Sequence, residues 1–269
     1  MYLIDTHCHL HDREFFKKEQ AEQMLKNAHA RGVEQIICIG TNEKDSEAAL
    51  AFAENHPNVF CSYGIHPEEA DGERGKASGF LAALKQRKLV CIGEIGLDYH
   101  YGTENRKAQI ALLEQMLDLA CAKNLPCSFH VRDAFDDFFA VAKNFSGLRP
   151  SVLHSFTDSK ENLKKALSAG FHIGINGILV NHSAEFSWAN DLGDNLPLDR
   201  FVLETDAPFL TPAPNRGKIN EPGNVADVAS WLANKLGVSE QVIAEQTTKN
   251  ARKIFNLPDP EPTKSHPCA

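Results

Sequence analysis

Histidines and carboxylates recur in this chain where short apolar runs end. The first case is "DTHCHL" (residues 5–10), in which His7 and His9 lie two apart behind an apolar start. Residues i and i+2 of a strand share a face, so the two imidazoles are either jaws of a metal site or ordinary polar residues at a strand end. His66, Glu94, His130, His154 and Asp206 follow at the ends of later apolar runs. Imidazole and carboxylate together suit one or two divalent cations, provided the fold gathers the run ends in one place. Buried singly, each of these groups would need a partner of its own.

The flanking residues add to this set. In "GEIGLDYH" (93–100), Glu94 stands between Gly93 and Gly96, which let the backbone bend and approach a ligand closely. A carboxylate can bridge two cations, which a neutral imidazole cannot. Asp98 is either an acceptor behind a ligating His or a loop cap. "LETDAPFL" (203–210) sets Glu204 and Asp206 on one strand face, and position favours Asp206 as the functional carboxylate. Arg132 follows His130 by two, while Arg216 and Lys218 sit in "APNRGKINEP" (213–222). A guanidinium binds phosphate through paired hydrogen bonds. A surface ion pair is the competing reading for Arg132 and Arg216, and the preferred one for Lys218. His29 and His56 read as solvated helix residues and His172 as barrel wall. His100 is close enough to a strand end to reach the same place, and Cys8 reads as wall.

Positioning such a set needs strands that all point one way. Apolar, β-branched runs predict eight strands, over 2–5, 35–39, 59–63, 90–94, 127–130, 151–154, 171–175 and 201–204. Between them lie helical patterns. Ile110, Leu113, Leu117 and Ala120 repeat at three-to-four spacing within 104–123. Residues 159–169 are preceded by Asp158, carry Glu161 early and are followed by Gly170, which are helix start and stop signals. Strand–helix alternation of this length predicts an α/β fold, a TIM-like (β/α)8 barrel with the metal site at the C-terminal ends of the strands. A doubly wound open sheet is the weaker reading, since no GxGxxG follows the first run. The barrel is expected to be one domain over 1–257, with 258–269 a polar, Pro-rich, frayed tail.

Composition narrows the function classes. The 269 residues are 42% hydrophobic and 24% charged, with a net charge of −8. Such a surface repels polyanions, so a nucleic-acid substrate would need a local basic patch or bound cations. The 7 cysteines include no CxxC pair, which argues against a disulfide framework or a zinc ribbon. Cys38, Cys61 and Cys91 sit in apolar runs as core residues. Neither a signal segment nor an apolar run long enough to span a membrane is present, so a cytoplasmic location is expected.

Together "DTHCHL", "GIHP" (64–67), "GEIGLDYH", "FHVRDA" (129–134), "LHSF" (153–156), "LETDAPFL" and "NRGKINEP" (215–222) resemble the TatD family of metal-dependent deoxyribonucleases. "TKNARKIF" (248–255) resembles that family's C-terminal helix, and the motifs keep the family's order over nearly the whole chain. The resemblance implies an amidohydrolase-type barrel with two divalent metal ions, Mg, Mn or Zn. It also implies a nucleic-acid substrate, DNA and in some members RNA, often cut from the 3′ end, and no stable protein partner. By motif it assigns His7, His9, Glu94 and Asp206 to one metal, and Glu94, His130 and His154 to the second, with Glu94 bridging. His66 and Arg132 would contact the phosphate, with Arg216 a further substrate contact. One segment departs: where many members have a Gly soon after "HxF", this chain has "HSFTDS", with Asp158.

The expected reaction is phosphodiester hydrolysis by a metal-activated water, with Glu94 and Asp206 as the catalytic carboxylates and Asp206 taking the proton. The alternative is an amidohydrolase acting on a small-molecule amide, ester or lactone. Many of those bridge their metals with a carbamylated Lys where this chain has Glu94. A non-catalytic metal-dependent scaffold would bind ligand and release no product.

Overall fold

The computed structural model of the chain describes residues 2–71, 87–192 and 197–262. Eight parallel strands follow one another round a sheet in chain order. They are β1 (Leu3–Cys8), β2 (Val33–Cys38), β3 (Val59–Tyr63), β4 (Leu89–Asp98), β5 (Cys127–Arg132), β6 (Val152–Leu153), β7 (His172–Ile175) and β8 (Phe201–Leu203). Helices α1 (Lys18–Ala30), α2 (Glu43–Glu54), α3 (Arg106–Lys123), α4 (Phe135–Ala142), α5 (Lys160–Ser168), α6 (Gly177–His182), α7 (Val225–Leu236) and α8 (Glu240–Phe255) fall between and after them. The barrel closes where the chain beyond β8 meets β1. Cys8 bridges Ala207, the Asp206 N–H donates to the His7 carbonyl at 2.8 Å, and the His9 N–H donates to the Ala207 carbonyl at 2.7 Å. The closing bonds therefore run through the site residues themselves.

Adjacent residues of one strand are buried on opposite faces, as the two-residue period of a strand requires. Leu3, Ile36, Cys61, Ile92, Leu153 and Leu203 pack toward the helices in the main cluster. Their neighbours Ile4, Ile37, Phe60, Cys91, Val152 and Val202 form a second cluster with Ala251, Ile254, Phe255 and Leu257. Helix α8 thereby closes the end where the strands begin. Thr248 donates to the Tyr2 carbonyl at 2.9 Å, and the Asn250 amide donates to the Phe201 carbonyl at 2.7 Å. The opposite end stays open for chemistry.

Several sequence expectations shift. Strand β1 runs to Cys8, three residues beyond its predicted end, and so takes in His7. Strand β4 runs to Asp98, four residues beyond the predicted end, because a register slip between Ile92 and Ile95 lets it keep pairing with β5. Gly96 makes this continuation possible: its φ is +151°, and a Cβ there would meet the His130 carbonyl oxygen at 1.8 Å. The glycines beside Glu94 thus serve contact with the neighbouring strand. Helix α5 is capped by Ser159, whose hydroxyl accepts from the Asn162 N–H at 3.2 Å, one residue later than expected. Asp158 instead accepts from the Asn162 side chain at 2.7 Å. The segment from 258 is held at its start, since Gln35 donates to the Pro258 carbonyl at 3.0 Å and the Glu261 N–H donates to Asn58 at 2.8 Å. Residues 263–269, including His266, lie outside the described residues.

His172 begins β7 and is 8% exposed, with no partner for Nδ1. Burial, then the positive charges of Arg200 and Lys253, push its pKa down to about 4, against a smaller opposing pull from Asp199. The folded chain therefore holds this imidazole neutral, whereas the unfolded chain protonates it near the ordinary value. Its contribution is complete above that ordinary value and is lost as pH falls toward about 4. Thermal melts across that window should show a decline in the wild-type chain that is smaller in His172→Leu. Parallel pH profiles of the two proteins would refute the assignment.

Candidate metal centre

Six of the side chains singled out above converge at the open end of the barrel. His7 Nε2 lies 3.5 Å from Glu94 Oε2 and 3.6 Å from Asp206 Oδ1, and His9 Nε2 lies 3.4 Å from the same Asp206 oxygen. His130 Nδ1 is 3.1 Å from Glu94 Oε1, and His154 Nε2 is 3.8 Å from that oxygen and 4.0 Å from Asp206 Oδ2. The His7 and His154 rings stack with centroids 3.6 Å apart. They line, or lie just beneath, a cavity of about 830 Å³ whose wall also carries His66, Arg132 and Tyr101.

Three of the four imidazoles are held from behind by a hydrogen bond. The His9 Nδ1–H donates to the Ile39 carbonyl at 2.8 Å, which leaves Nε2 facing the carboxylates. His130 Nε2 donates to Asp98 at 2.7 Å, and Asp98 also accepts the His100 N–H at 2.9 Å. Asp98 is therefore both the acceptor behind His130 and a loop cap. Ser128 Oγ sits 3.3 Å from His7 Nδ1. Glu204, wholly buried, stands behind His154, its Oε1 3.0 Å from Nδ1 and off the ring's hydrogen-bonding direction. That oxygen also takes the Ser155 N–H at 2.7 Å and the Asn176 amide at 3.1 Å. Such partners set ring orientation and basicity in metal sites. Asp5 reaches neither imidazole ring. It accepts from the Thr205 N–H at 2.9 Å and from the Thr205 hydroxyl at 2.6 Å, pinning the chain that leads into Asp206.

Two of the six described non-glycine residues with positive φ stand in or next to the donor set. Ser155 and Asp206 have φ of +49° and +57°, a region non-glycine residues seldom enter. Strain of this kind persists where the surroundings over-determine it, and here it turns the chain into the site directly after β6 and β8.

The titration pattern shows the field of the site. Burial works to raise Glu94, yet His7, His130 and His154 hold its carboxyl well below the usual range. Asp206 is likewise held down, against burial, by His154, His9 and His7. Burial opposes protonation of His130 and His154, but the first is raised to about 9 by Asp98 and Glu94, and the second to about 10 by Glu204 and Asp206. His9 is raised by Asp206 against burial. His7 moves the other way, through burial and the stacked His154. Burial also brings His66 down to about 4. The carboxylates thus draw positive charge onto His9, His130 and His154, charge that a divalent cation would supply in place of those protons.

Divalent cations fit these residues. His7 Nε2, His154 Nδ1 and Glu204 Oε2 are buried with no hydrogen-bond partner. Donor atoms of His7, His9 and Glu94 lie within 4.8 Å of one another, as do those of His66, Glu94 and His130, and of His7, His154 and Glu204. Glu94 belongs to the first two groups, the position a bridging carboxylate would hold. Asp206 adjoins the first group through His7 and His9. The second group holds His66, expected from its motif to contact phosphate, rather than His154, which is turned toward Glu204.

Arg132 lies on the cavity wall, but Arg216 does not; it lines an adjoining recess and donates from Nη2 to His182 at 3.0 Å. His100 is off the wall as well, paired with Asp133 at 3.1 Å. His182 and Glu185, which pair at 2.7 Å, do line the cavity and carried no strand-end signal. Their three-residue spacing at the end of a helix was the only trace of them in the sequence. Asp158, the departure in "HSFTDS", faces helix α5, and its neighbours Ser155 and Thr157 line the cavity instead.

Comparison with known proteins agrees with this geometry. A family model described as TatD related DNase matches residues 4–256. An uncharacterized metal-dependent hydrolase, YcfH of Escherichia coli K12, is 34% identical over 261 residues, covering 96% of this chain and 97% of its own. A 3′-5′ ssDNA/RNA exonuclease TatD of Erwinia tasmaniensis is 32% identical over 262 residues, covering 95% and 100%. The crystal structure of YJJV, a TatD homolog of Escherichia coli K12, superposes with a TM-score of 0.87 at 30% identity, covering 95% of this chain and 98% of that one.

Proposed function

This chain belongs to the TatD-related DNase family of metal-dependent hydrolases, and on that premise we propose that it hydrolyses phosphodiester bonds of nucleic acid, removing nucleotides from the 3′ end of DNA and accepting RNA. The observation that carries the reading is the convergence of four imidazoles and two carboxylates, from five strand ends, on one open cavity. His7, His9, Glu94 and Asp206 would hold one cation. Glu94, His130 and either His66 or His154 would hold a second. Divalent cations there supply electrophilic polarisation of the phosphoryl group, lower the pKa of nearby water, and offset the net charge of −8.

The chain's own groups do the rest. The Asp206 side chain is 14% exposed against 5% for Glu94, so water in the cavity reaches Asp206. Its carboxylate takes the proton of the attacking water. His9 and His154 flank the Asp206 oxygens at 3.4 and 4.0 Å and fix where that carboxylate stands to accept. Arg132 binds the non-bridging phosphate oxygens from the cavity wall. Arg216, held by His182, meets the next phosphate along the strand. Among the described residues no helix is long and apolar enough to cross a membrane.

The test is a digest of single- and double-stranded DNA and RNA, labelled at either end, with Mg²⁺, Mn²⁺ or Zn²⁺ and with chelator. A 3′ label should be released at once and a 5′ label should leave a shortening ladder, and chelator should stop both. No cleavage of any strand with any of the three metals would overturn the reading. Cleavage that survives chelator would do so too.

A further inference from the structure

The exposed large apolar side chains include three aromatic rings, Phe15 and Phe209 at 46% and Tyr101 at 78%, and all three line the cavity of the metal centre. Phe15 and Phe209 meet edge to face with centroids 5.3 Å apart, and Phe209 lies 6.3 Å from the His9 ring. Across the cavity, the Arg132 guanidinium sits 5.8 Å from the Tyr101 centroid. Phe15 follows β1 and Phe209 follows β8, whereas Tyr101 follows β4 and Arg132 ends β5. In the strand order, the β8–β1 seam and the β4–β5 pair are half a barrel apart. The two aromatic groups therefore face each other across the ring of imidazoles and carboxylates.

Among the described residues the ring contacts of these three are with one another, His9, His100 and Arg132, and each ring keeps 46% or more of its surface open to solvent. The cavity wall is also unsuited to holding a polyanion by charge, because carboxylates outnumber cations on it and Arg132 is its one guanidinium among the described residues. Phosphate binding therefore falls to Arg132 and the cations the site would hold, and the bases offer a further source of affinity. Every nucleobase has a π-face, and base–aromatic stacking is tolerant of base identity.

We propose that Phe15 with Phe209, and Tyr101 with Arg132, are two stacking platforms for the bases on either side of the scissile phosphate. The inference rests on the nucleic-acid reading above and adds which side chains hold the bases. Both bases must be splayed onto separate faces, so the cavity takes an unpaired strand end. Bases inside a duplex have their faces already covered and cannot use either platform.

The test pairs protein variants with substrate variants. Single-stranded oligonucleotides carry either normal 3′-terminal nucleotides or an abasic residue at the terminal or penultimate position. On the normal strand, Phe209→Ala and Tyr101→Ala should each lower kcat/KM about tenfold. Each loss should vanish when the base served by that platform is missing, and Tyr101→Phe should restore the Tyr101→Ala loss. A terminal 2-aminopurine should be quenched on binding to Asp206→Asn protein, which leaves the strand intact, and quenched less when Phe209→Ala is added. Thermal melts should be unchanged, because all three rings are exposed. Equal losses on normal and abasic strands, or no loss on either, would overturn the platforms while leaving the nuclease reading standing. Failure of the wild-type protein to cut any strand would overturn that reading and the platforms with it.

Discussion

Replacing Glu94 with Gln is expected to abolish hydrolysis and strip metal from the protein while leaving the barrel folded. Glu94 is buried, 4% exposed, and its two oxygens lie within 4.0 Å of His7, His66, His130 and His154. It is the residue common to the donor group of His7 and His9 and to that of His66 and His130. Removing an outer partner of a metal ligand costs about 10–100-fold in affinity or activity. As the proposed donor to both cations, Glu94 should cost more than roughly 100-fold in turnover by that comparison when it is lost. Gln keeps the volume of the side chain and the Glu94 N–H bond to the Gly40 carbonyl at 2.7 Å. Initial rates on an end-labelled strand and a thermal melt check both halves. A variant that retains turnover, or one that fails to fold, would count against the assignment.

Asp206→Asn is the second large effect, and its character differs. The side chain still fits beside His9, and the backbone bond from the Asp206 N–H to the His7 carbonyl remains at the barrel seam. What is lost is a carboxylate able to accept a proton. A positioned general base is worth about 10²–10⁴-fold, so kcat should fall by that order while KM for the oligonucleotide changes little. The variant should melt as the parent does. A fall in KM-type affinity with kcat preserved would instead make Asp206 a binding residue alone.

The convergence of His7, Glu94, His130, His154 and Asp206 was legible because it follows from topology. Once eight parallel strands are read, every strand's C-terminal end faces the same side, whatever lies between. The partners behind those side chains were less legible. Glu204 stands behind His154 across 50 residues, Ser128 beside His7 across 121, and Asp5 against Thr205 across 200. Strand ends can be placed from periodicity, but which atoms meet depends on register and ring rotation, which periodicity does not encode. The extension of β4 to Asp98 shows the same limit, since it depends on a slip against β5 that leaves no mark in the apolar pattern. The aromatic rim was silent for another reason. Phe15, Tyr101 and Phe209 lie on connections, where neither a helical nor a strand period exists to give a side chain a direction.

The most direct measurement is equilibrium dialysis of the protein against Mn²⁺ at neutral pH, with Glu94→Gln dialysed beside it and metal content determined in both. The wild-type protein is expected to retain Mn²⁺ in step with its hydrolytic activity, and the variant to retain little. Equal Mn²⁺ content in the two proteins, or full activity in wild-type protein that holds none, would contradict a hydrolase built on Glu94.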